Sequence, residues 1–408
     1  MNLKNKKILL IIGGGISAYK SLDLIRYLQK KGSSVKVVLT KSGKKFVTSL
    51  SISSLSKSRV FEEMFDEKNK GKIDHISLSR WADLILVIPA TANFMSKLSK
   101  GAADDLASTI ILASNKEIFL VPAMNVRMWH HKATQKNLAY LIDYGYKFIG
   151  PENGEMACGE YGKGKMSSPR QILSFLERFF EKKDFLKKKK INAIVTTGPT
   201  KEYLDPVRFI SNESSGKQGY EIALELSRLG IKTTLISGPT KINYSNDIKI
   251  KKVISAVEMF EEVKKKLPTH IAVCAAAVSD FKPILKKNSK IKKDIKMNEI
   301  KIEKNPDILT YLGKNNRYKP KLLVGFAAET ENLEKNAIKK MQDKFCDMII
   351  ANDVSKKDTG FNSDLNEVTL IEKNGRSHKI KKNSKKFVAS LIAKKIVDTF
   401  LINEKKFN

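Results

Sequence analysis

The chain has 408 residues, of which 41% are hydrophobic, and this length suits two domains with buried cores better than one. No apolar run reaches the roughly 18 residues that cross a bilayer, so we expect no membrane partner. The net charge of +33 comes from lysines spread along the whole chain, without arginine stripes, interleaved aromatics, a zinc-ligand spacing or a basic recognition helix. This pattern indicates a solvated basic surface and speaks against nucleic acid as a partner.

The amino-terminal segment superficially resembles a signal peptide, because lysines precede a short apolar run at residues 8–12. Three glycines follow that run without a small-residue cleavage site, so we predict a first β-strand instead. The chain has three cysteines, an odd number, and no export signal, which predicts reduced thiols and a cytoplasmic location.

Apolar strand patterns alternate with amphipathic helix patterns along both halves of the chain. In the first half we predict strands at residues 8–12, 35–39, 84–88 and 118–121 and helices at residues 17–30 and 102–113. In the second half we predict strands at residues 193–197, 233–237, 271–276, 322–326 and 348–351 and helices at residues 218–229, 256–266, 333–345 and 385–401. A strand at residues 367–371 and the Asn-Gly turn at 374–375 predict a terminal hairpin.

The charge run at residues 181–190 interrupts this alternation and is typical of a linker. Alternating strands and helices predict parallel sheets with helices on both faces. We therefore predict an α/β fold of two doubly wound, Rossmann-like domains, at residues 1–180 and 191–408, joined by the linker.

The first candidate site begins with the glycine-rich motif at residues 13–20, between a strand and a helix, where main-chain amides can face a phosphate. The motif is not GxGxxG, and the second strand ends in Thr40 instead of an acidic residue, which favours a mononucleotide over a dinucleotide. A tight glycine turn without a ligand is the alternative. Residues 89–93 place further small and hydroxyl side chains after the strand at 84–88.

The second part of this site is the loop at residues 154–166, which contains four glycines and Cys158. No hydrophobic period runs through it, so we expect neither a helix nor a strand there. A lone cysteine in such a loop is more often inert than catalytic. The motif at 122–129, however, places Asn125 at the carboxyl end of a strand, where open α/β sheets bind ligands. His75 is either structural or catalytic, and Asp104 and Asp105 suit a helix start.

Together, these motifs resemble the flavin-dependent cysteine decarboxylases, and residues 13–166 are similar to the bacterial phosphopantothenoylcysteine decarboxylases. The resemblance implies a flavodoxin-like domain whose catalytic residues are His75, Asn125 and Cys158. It implies FMN bound by Gly14, Gly15, Ser17, Thr40, Ala90, Thr91 and Asn93. Lys165 stands where the family often has arginine, which keeps the charge but loses the planar guanidinium fork.

The implied chemistry explains these residue types. The substrate carboxylate cannot leave unaided, because the resulting carbanion has no electron sink. Oxidation of the thiol-bearing carbon by the flavin gives a thioaldehyde that can lose CO₂, and the resulting ene-thiolate is then protonated and reduced. In this scheme His75 assists the oxidation, Asn125 orients the carboxylate and Cys158 supplies the proton.

The second candidate site starts at residues 193–200, a strand that runs into a phosphate-sized turn. Ser214, Ser215 and Gly216 can cap the following helix and leave amides free for an anion, although a capped helix without a ligand is the alternative. The Walker A spacing is absent. Further candidate segments of this site lie after predicted strands, at the start of helices, on a lysine-rich loop or on one helix face, at residues 274–280, 290–293, 304–309, 324–330, 340–344 and 351–354.

From Thr196 to about Glu367 the chain resembles the bacterial phosphopantothenate–cysteine ligases. The resemblance implies activation of phosphopantothenate by CTP as an acyl-cytidylate, which the amine of cysteine then attacks. Asn212 would contact the acyl-cytidylate carbonyl, and Lys290 would neutralise the triphosphate. The nucleotide site would be lined by Asp280, Pro306, Asp307, Ile308, Leu309, Phe326, Lys340 and Lys344. Mg²⁺ is expected to bridge phosphates and keep several waters, and we predict that Cys274 and Cys346 are structural.

The two resemblances predict a bifunctional enzyme of coenzyme A biosynthesis, which makes phosphopantothenoylcysteine and then converts it to 4'-phosphopantetheine and CO₂. Its partners would be 4'-phosphopantothenate, cysteine and CTP, and the resemblances imply a homo-oligomer, with trimers for the first half and dimers for the second. One alternative is a non-enzymatic flavoprotein of this fold that binds phosphatases, which the ligase half argues against. Another is a basic nucleic-acid-binding protein, which salt-sensitive retention on DNA would support.

Overall fold

The computed structural model describes residues 3–64, 74–291, 299–355 and 363–406. The chain forms two compact units, Met1–Lys182 and Lys183–Asn408, each built on its own sheet. No helix of the described residues is long and apolar enough to span a membrane.

The first unit contains a six-stranded parallel sheet in the order β3-β2-β1-β4-β5-β6. Its strands are β1 (Lys7–Ile12), β2 (Ser34–Leu39), β3 (Val60–Phe61), β4 (Leu84–Ala90), β5 (Glu117–Pro122) and β6 (Lys147–Phe148), and the hairpin strands β7 (Glu152–Glu155) and β8 (Tyr161–Lys165) follow. Its helices are α1 (Lys20–Lys30), α2 (Ser49–Ser56), α3 (Asp74–Trp81), α4 (Ala92–Ser99), α5 (Leu106–Leu112), α6 (Val126–His130), α7 (Lys132–Asp143) and α8 (Pro169–Lys188).

Strand β1 shows why this sheet is covered on both faces. Ile8, Leu10 and Ile12 belong to one apolar core, and Leu9 and Ile11 belong to the other. Because successive side chains of a strand point to opposite faces, an unbroken apolar run requires helices on both sides. Apart from the two-residue edge strand β3, the strand order is that of flavodoxin-like folds. Successive strands are added on one side of β1 up to β3 and on its other side from β4 onwards, so the strand order reverses at β1.

The second unit contains an eight-stranded sheet in the order β13-β12-β9-β14-β17-β18-β19-β20, in which β19 pairs antiparallel with both β18 and β20 and the other neighbours are parallel. These strands are β9 (Asn192–Thr197), β12 (Lys232–Ser237), β13 (Lys249–Lys252), β14 (Ile271–Cys274), β17 (Leu322–Glu329), β18 (Met348–Asp353), β19 (Leu365–Glu372) and β20 (Ser377–Ser384). Two ribbons pair β10 (Lys201–Tyr203) with β11 (Phe209–Ser211) and β15 (Phe281–Pro283) with β16 (Ile302–Lys304). The helices are α9 (Lys217–Arg228), α10 (Ala256–Lys264), α11 (Ile308–Lys314), α12 (Leu333–Asp343) and α13 (Lys385–Lys406).

Two doubly wound α/β units with mainly parallel sheets confirm the predicted fold class, and a hairpin closes the second sheet as predicted. The helix predicted from residue 102 starts only at Leu106, because the Asp105 side chain caps it by accepting a hydrogen bond from the Ser108 amide. The prediction that residues 154–166 contain no strand is wrong. They form most of the β7–β8 hairpin, whose glycines hide the usual alternation of side chains.

Helix α8 continues through most of the charge run at residues 181–190 and ends at Lys188. Ile172, Leu176 and Phe180 are spaced four residues apart and lie in the first core. Leu186, within the charge run, is fully buried in the core of the second unit. The many lysines make this segment look uniformly polar in the sequence, although its few apolar residues recur at the spacing of one helix face.

Candidate active sites

Three loops meet at the carboxyl edge of the first sheet, where β1 ends between β2 and β4. A Cβ on Gly13 would lie 2.3 Å from the carbonyl oxygen of Pro89, and one on Gly14 would lie 2.4 Å from Cβ of Ser42. Only glycine lets the loop after β1 approach the other two this closely. A Cβ on Gly15 would lie 3.6 Å from Cγ of Pro89, an ordinary van der Waals contact, so the close approach of the loops does not itself require glycine at this position.

Two hydroxyl groups predicted to bind FMN have hydrogen-bond partners within the protein. The Thr40 hydroxyl donates to the carbonyl of Ile12 over 3.0 Å and accepts from the amide of Gly43 over 3.1 Å. The Thr91 hydroxyl caps α4 by accepting from the amide of Phe94 over 3.2 Å. Both side chains therefore have a structural role at the edge where a ligand is expected.

A cavity of about 530 Å³ opens beside this edge, within the range of roughly 300–1,000 Å³ that is usual for small-ligand sites. Lys20 lines it and contributes a positive charge near the glycine loop. The predicted site residues that line it are Gly15, Ser17, Asn125, Cys158 and Lys165. The predicted FMN residues that do not line it are Gly14, Thr40, Ala90, Thr91 and Asn93.

The β7–β8 hairpin brings Cys158 to this cavity. Cys158 is exposed in the tight turn between the two strands, where the Gly159 amide donates to the carbonyl of Met156. Gly164 has a φ of 148°, and a Cβ on it would lie 2.4 Å from the carbonyl oxygen of Met124. The Met124 amide donates to the Gly164 carbonyl over 3.1 Å. The hairpin is therefore docked by its glycine backbone onto the segment that carries Asn125.

The Asn125 side chain connects the two motifs. Its Oδ1 accepts from the amide of Arg127 over 2.7 Å and so caps α6. Because this end of the side chain is committed to the helix, Nδ2 faces the hairpin. There it donates to Sγ of Cys158 over 3.7 Å and to the Glu160 carboxylate. The structure therefore brings together two of the three predicted catalytic residues.

Glu160 is a residue of this site that the sequence reasoning missed. Its carboxylate accepts from Nδ2 of Asn125, and its Oε1 lies 3.7 Å from Nε of the highly exposed Arg127. Glu160 stands two positions after Cys158 in the same glycine-rich loop, and this proximity in sequence could have identified it as a site residue. A carboxylate in that place holds the nitrogen end of the Asn125 amide, whose oxygen end is held by α6.

His75 does not join this group. It lies half-buried near the start of α3 and does not line the cavity. Residues 65–73, which precede that helix, lie outside the described part of the chain. Asp104 and Asp105 both pair with Lys97, and Asp105 caps α5, so they have the structural role expected for them.

The second unit has a cavity of about 760 Å³ at the carboxyl ends of β9, β14 and β17, where the order of the strands in the sheet again reverses. Small side chains at residues 275–277 form part of its wall. The predicted site residues that line it are Asn212, Asp280, Pro306, Asp307, Ile308, Leu309, Phe326, Lys340 and Lys344. Lys290 is the predicted residue that does not line it.

Two side chains in this cavity are held by specific partners. Nδ2 of Asn212 donates to the carbonyl of Val278 over 2.9 Å. Asp307 caps α11 by accepting from the Thr310 amide over 2.8 Å, and it forms an ion pair with Lys344. Burial raises the pKa of Asp307, but these bonds outweigh it and hold the pKa below its ordinary value. The charge of Lys344 is thereby partly compensated.

Lys290 is exposed, and its position is set through its neighbour Ile291. The Ile291 amide donates to Oδ2 of Asp205 over 3.2 Å, and the Arg208 guanidinium donates to the Ile291 carbonyl over 2.7 Å. Asp205 is fully buried and also pairs with Arg208. Burial disfavours its charge, but the hydrogen bonds from Val207, Arg208 and Ile291 hold its pKa well below the ordinary range. Residues 292–298, including the end of the predicted 290–293 lysine cluster, lie outside the described part.

The remaining cysteines have apolar surroundings. Burial raises the pKa of Cys274, which lines the second cavity, far above its ordinary value, and it raises the pKa of Cys346 to about 11. Both thiols are therefore protonated near neutral pH. Among the described residues, no group of three or more His, Cys, Asp or Glu side chains could hold a metal ion.

Comparison with known proteins places each unit in a family. Residues 1–181 match the Flavoprotein family, and residues 186–400 match the DNA/pantothenate metabolism flavoprotein C-terminal domain. The coenzyme A biosynthesis bifunctional protein CoaBC of Haemophilus influenzae is 41% identical over 98% of this chain and 99% of its own length. The protein of the same name from Bacillus subtilis is 39% identical over 97% of each chain.

Solved structures resemble single halves of the chain. The C-terminal domain of a coenzyme A biosynthesis bifunctional protein CoaBC is 36% identical, with a TM-score of 0.44, and the match covers 51% of this chain and 95% of that one. The FMN binding protein AtHal3 is 31% identical, with a TM-score of 0.39, and the match covers 44% of this chain and 98% of that one.

The chain forms two doubly wound units, and each has a ligand-sized cavity at the sheet edge where the strand order reverses. The first unit also matches the Flavoprotein family. These findings define a two-domain α/β flavoprotein. The near full-length identity is more specific. The chain belongs to the family of bifunctional proteins of coenzyme A biosynthesis. The predicted family is therefore confirmed, as is the prediction of a bifunctional enzyme that joins a decarboxylase to a ligase.

Proposed function

We propose that the second unit joins cysteine to 4'-phosphopantothenate at the expense of CTP, and that the first unit decarboxylates the product with FMN. Family membership supports the two activities together. The observation that carries the proposal is the pair formed by Asn125 and Cys158, whose amide and thiol meet at the cavity beside the glycine loop.

The first cavity fits a flavin mononucleotide. It has the volume of a small-ligand site, and Gly15, Ser17 and the positively charged Lys20 line it. The main-chain amides of the loop at Gly15 and Ser17 are suited to hold the phosphate. When bound, FMN supplies an electron sink for oxidation of the thiol-bearing carbon.

The residues of the chain then orient the substrate and move a proton. By exchanging its long contact with Sγ of Cys158, Nδ2 of Asn125 can donate to the substrate carboxylate and fix its direction, while Lys165 offers a cation at the same wall. Once CO₂ has left, the thiol of Cys158 protonates the carbon that carried it. His75 remains a proposed assistant of the oxidative step, and a normal rate of oxidation in His75→Asn would remove it from the mechanism.

In the second unit, the phosphopantothenate carboxylate would attack the α-phosphate of CTP and release pyrophosphate. Lys340, Lys344 and Lys290 can balance the triphosphate charge, and Mg²⁺ bound with the nucleotide would supply further positive charge there. The amine of cysteine then attacks the acyl-cytidylate carbonyl and CMP leaves. Asn212, whose Nδ2 donates to the Val278 carbonyl, would contact the carbonyl of the acyl-cytidylate.

We also propose that the protein is a cytoplasmic homo-oligomer. Its cysteines are free thiols. The two ribbons of the second unit and the segment after β15 expose large apolar side chains, among them Val207, Phe209, Phe281 and Leu285, of which Leu285 is 73% exposed. Such a surface is typical of a protein–protein contact. Light scattering on purified protein tests this, and a monomer mass at micromolar concentration would contradict it.

The decisive experiment supplies purified protein with phosphopantothenate, cysteine and CTP and identifies the products by mass spectrometry. We expect phosphopantothenoylcysteine, CMP, pyrophosphate, CO₂ and phosphopantetheine, from a yellow protein with one FMN per chain. Replacing CTP by ATP tests the nucleotide preference. A colourless folded protein that takes up no FMN would contradict the first half, and absence of pyrophosphate release would contradict the second.

A further inference from the structure

Two buried acceptor atoms in the second cavity are left without a partner. Among the described residues, Oδ1 of Asn305 and Oδ1 of Asn352 are buried and accept no hydrogen bond, and both residues line the cavity. A buried polar atom without a partner is costly, so such atoms in a folded protein need a physical explanation. A ligand that donates a hydrogen bond provides one.

Asn305 is the better defined of the two, because its neighbours fix which end of its amide is free. Nδ2 donates to the carbonyl of Ser279 over 2.9 Å, and the Asn305 main-chain amide donates to the carbonyl of Asp280 over 2.9 Å. A carbonyl oxygen can only accept, so the contact with Ser279 identifies the nitrogen of the side chain and leaves Oδ1 as the free acceptor, while the main-chain bond holds the residue in place. Asn352 has no such contact that assigns its amide.

We propose that Oδ1 of Asn305 accepts a hydrogen bond from the exocyclic amino group of the cytosine base, and that it thereby selects CTP over UTP. The inference rests on the proposed use of CTP by this unit. Phosphate and carboxylate groups are themselves acceptors and are excluded from the neighbourhood of Oδ1. The cysteine ammonium is better matched by a carboxylate than by a neutral amide. The ribose hydroxyls and the amide and hydroxyl groups of phosphopantothenate are donors too, but among the donors of the proposed ligands the amino group of the base is the one that differs between CTP and UTP, so the comparison of these two nucleotides tests it directly.

The same geometry explains rejection of uracil. Uracil carries a carbonyl oxygen where cytosine carries the amino group, so two acceptors would face each other and Oδ1 would stay unpaired. A site built to satisfy a polar group on its ligand discriminates strongly against an analogue that lacks it, because the protein group is then left buried without a partner.

The test compares dissociation constants of CTP and UTP for the full chain and two variants, together with pyrophosphate release in the presence of phosphopantothenate. Asn305→Leu keeps the approximate side-chain size and removes the acceptor. We expect the preference for CTP over UTP to fall about tenfold, mainly through weaker CTP binding. Asn352→Leu is the matched control, since it removes the other unpaired oxygen of the same cavity, and we expect it to leave the preference unchanged.

Several results would overturn the assignment. Equal weakening of CTP and UTP in Asn305→Leu would show a packing defect, which the thermal unfolding midpoint would also report. A changed preference in Asn352→Leu alone would assign the base contact to the other amide. A raised KM for cysteine with an unchanged nucleotide preference would assign Oδ1 to the amine. If the unaltered protein binds CTP and UTP but releases no pyrophosphate from either, the proposed ligase function fails separately from the base contact.

Discussion

The side-chain amide of Asn125 donates a hydrogen bond to Sγ of Cys158 over 3.7 Å, across 33 positions of the chain. Asn125 follows the buried strand β5, and Cys158 lies at the tip of a glycine-rich hairpin. The contact places a hydrogen-bond donor and a thiol at one wall of the first cavity. A group that orients a carboxylate and a group that protonates the neighbouring carbon need this proximity.

Cys158→Ala should stop the decarboxylase reaction after CO₂ has left, because the remaining intermediate lacks its proton donor. We expect CO₂ release in a single turnover, accumulation of an ene-thiol product by mass spectrometry, and an absorbance spectrum that remains that of a reduced flavin. Pyrophosphate release by the second unit should be unchanged. Normal output of phosphopantetheine by this variant would show that the proton comes from elsewhere.

Glu160 should act through Asn125. Glu160→Leu removes the acceptor that fixes the Asn125 amide, and we expect kcat/KM for decarboxylation to fall about tenfold, in line with the loss of one charge-assisted hydrogen bond. Glu160→Gln retains an acceptor oxygen and should recover most of that loss, which a merely structural defect would not predict. Arg127→Ala is the control, since that side chain is almost fully exposed. An unaffected Glu160→Leu enzyme would leave Glu160 without this role.

Lys290→Gln and Asn212→Asp should separate the two steps of the ligase. Loss of the Lys290 charge should slow acyl-cytidylate formation at least tenfold, whereas a carboxylate at position 212 should disturb the later handling of the intermediate. The measurement is pyrophosphate release from CTP and phosphopantothenate, with and without cysteine. Decarboxylation of supplied phosphopantothenoylcysteine should persist in both variants. Pyrophosphate release at the unaltered rate in Lys290→Gln would refute its role, and would agree with its absence from the cavity wall.

Gly164→Ala should loosen the hairpin that carries Cys158. The new Cβ would meet the Met124 carbonyl oxygen 2.4 Å away, at a φ of 148° that side chains rarely adopt. We expect a loss of stability on the order of 1–3 kcal/mol, seen as faster hydrogen exchange in the hairpin. Gly162→Ala is a matched control, because its φ of 152° is similar but its nearest neighbour is the Val126 side chain at 3.1 Å, which can move. Equal exchange in both variants would contradict a specific role for the backbone contact.

Lys385 should make stability depend on pH. Burial, with the Lys217 charge nearby, lowers its pKa from 10.5 to about 8, although Asp364 opposes the shift. Below pH 8 the folded protein bears the cost of a buried charge, and this cost disappears as pH rises towards the unfolded-state pKa. Lys385→Met should therefore raise the thermal midpoint at about pH 7, by an amount that shrinks towards about pH 9.5. Lys381→Met, at an exposed position, should show no such trend, and a pH-independent gain in Lys385→Met would contradict the charge explanation.

Much of the architecture could be predicted because it depends on local patterns. The apolar run at β1 is buried on both faces, which requires a sheet covered by helices, and the alternation of such runs with helical periods predicts the parallel order. The glycine loop at residues 13–17 was recognisable for the same reason, since its backbone must pass close to neighbouring loops. The hairpin around Cys158 escaped this reasoning because glycines leave no alternation to detect.

The sequence alone determined the two-domain α/β organisation, the two motif sets and the family, because periodicity and motif spacing are local properties of the chain. The tertiary structure decided which side chains meet. It showed that Asn125 donates hydrogen bonds to both Cys158 and Glu160. It also showed that the Thr40 hydroxyl bonds the Ile12 carbonyl, and that the residue after Lys290 is held by the Asp205 carboxylate. These contacts join residues far apart in sequence, and their geometry depends on how turns and buried hydrogen bonds are satisfied together, which no local pattern specifies.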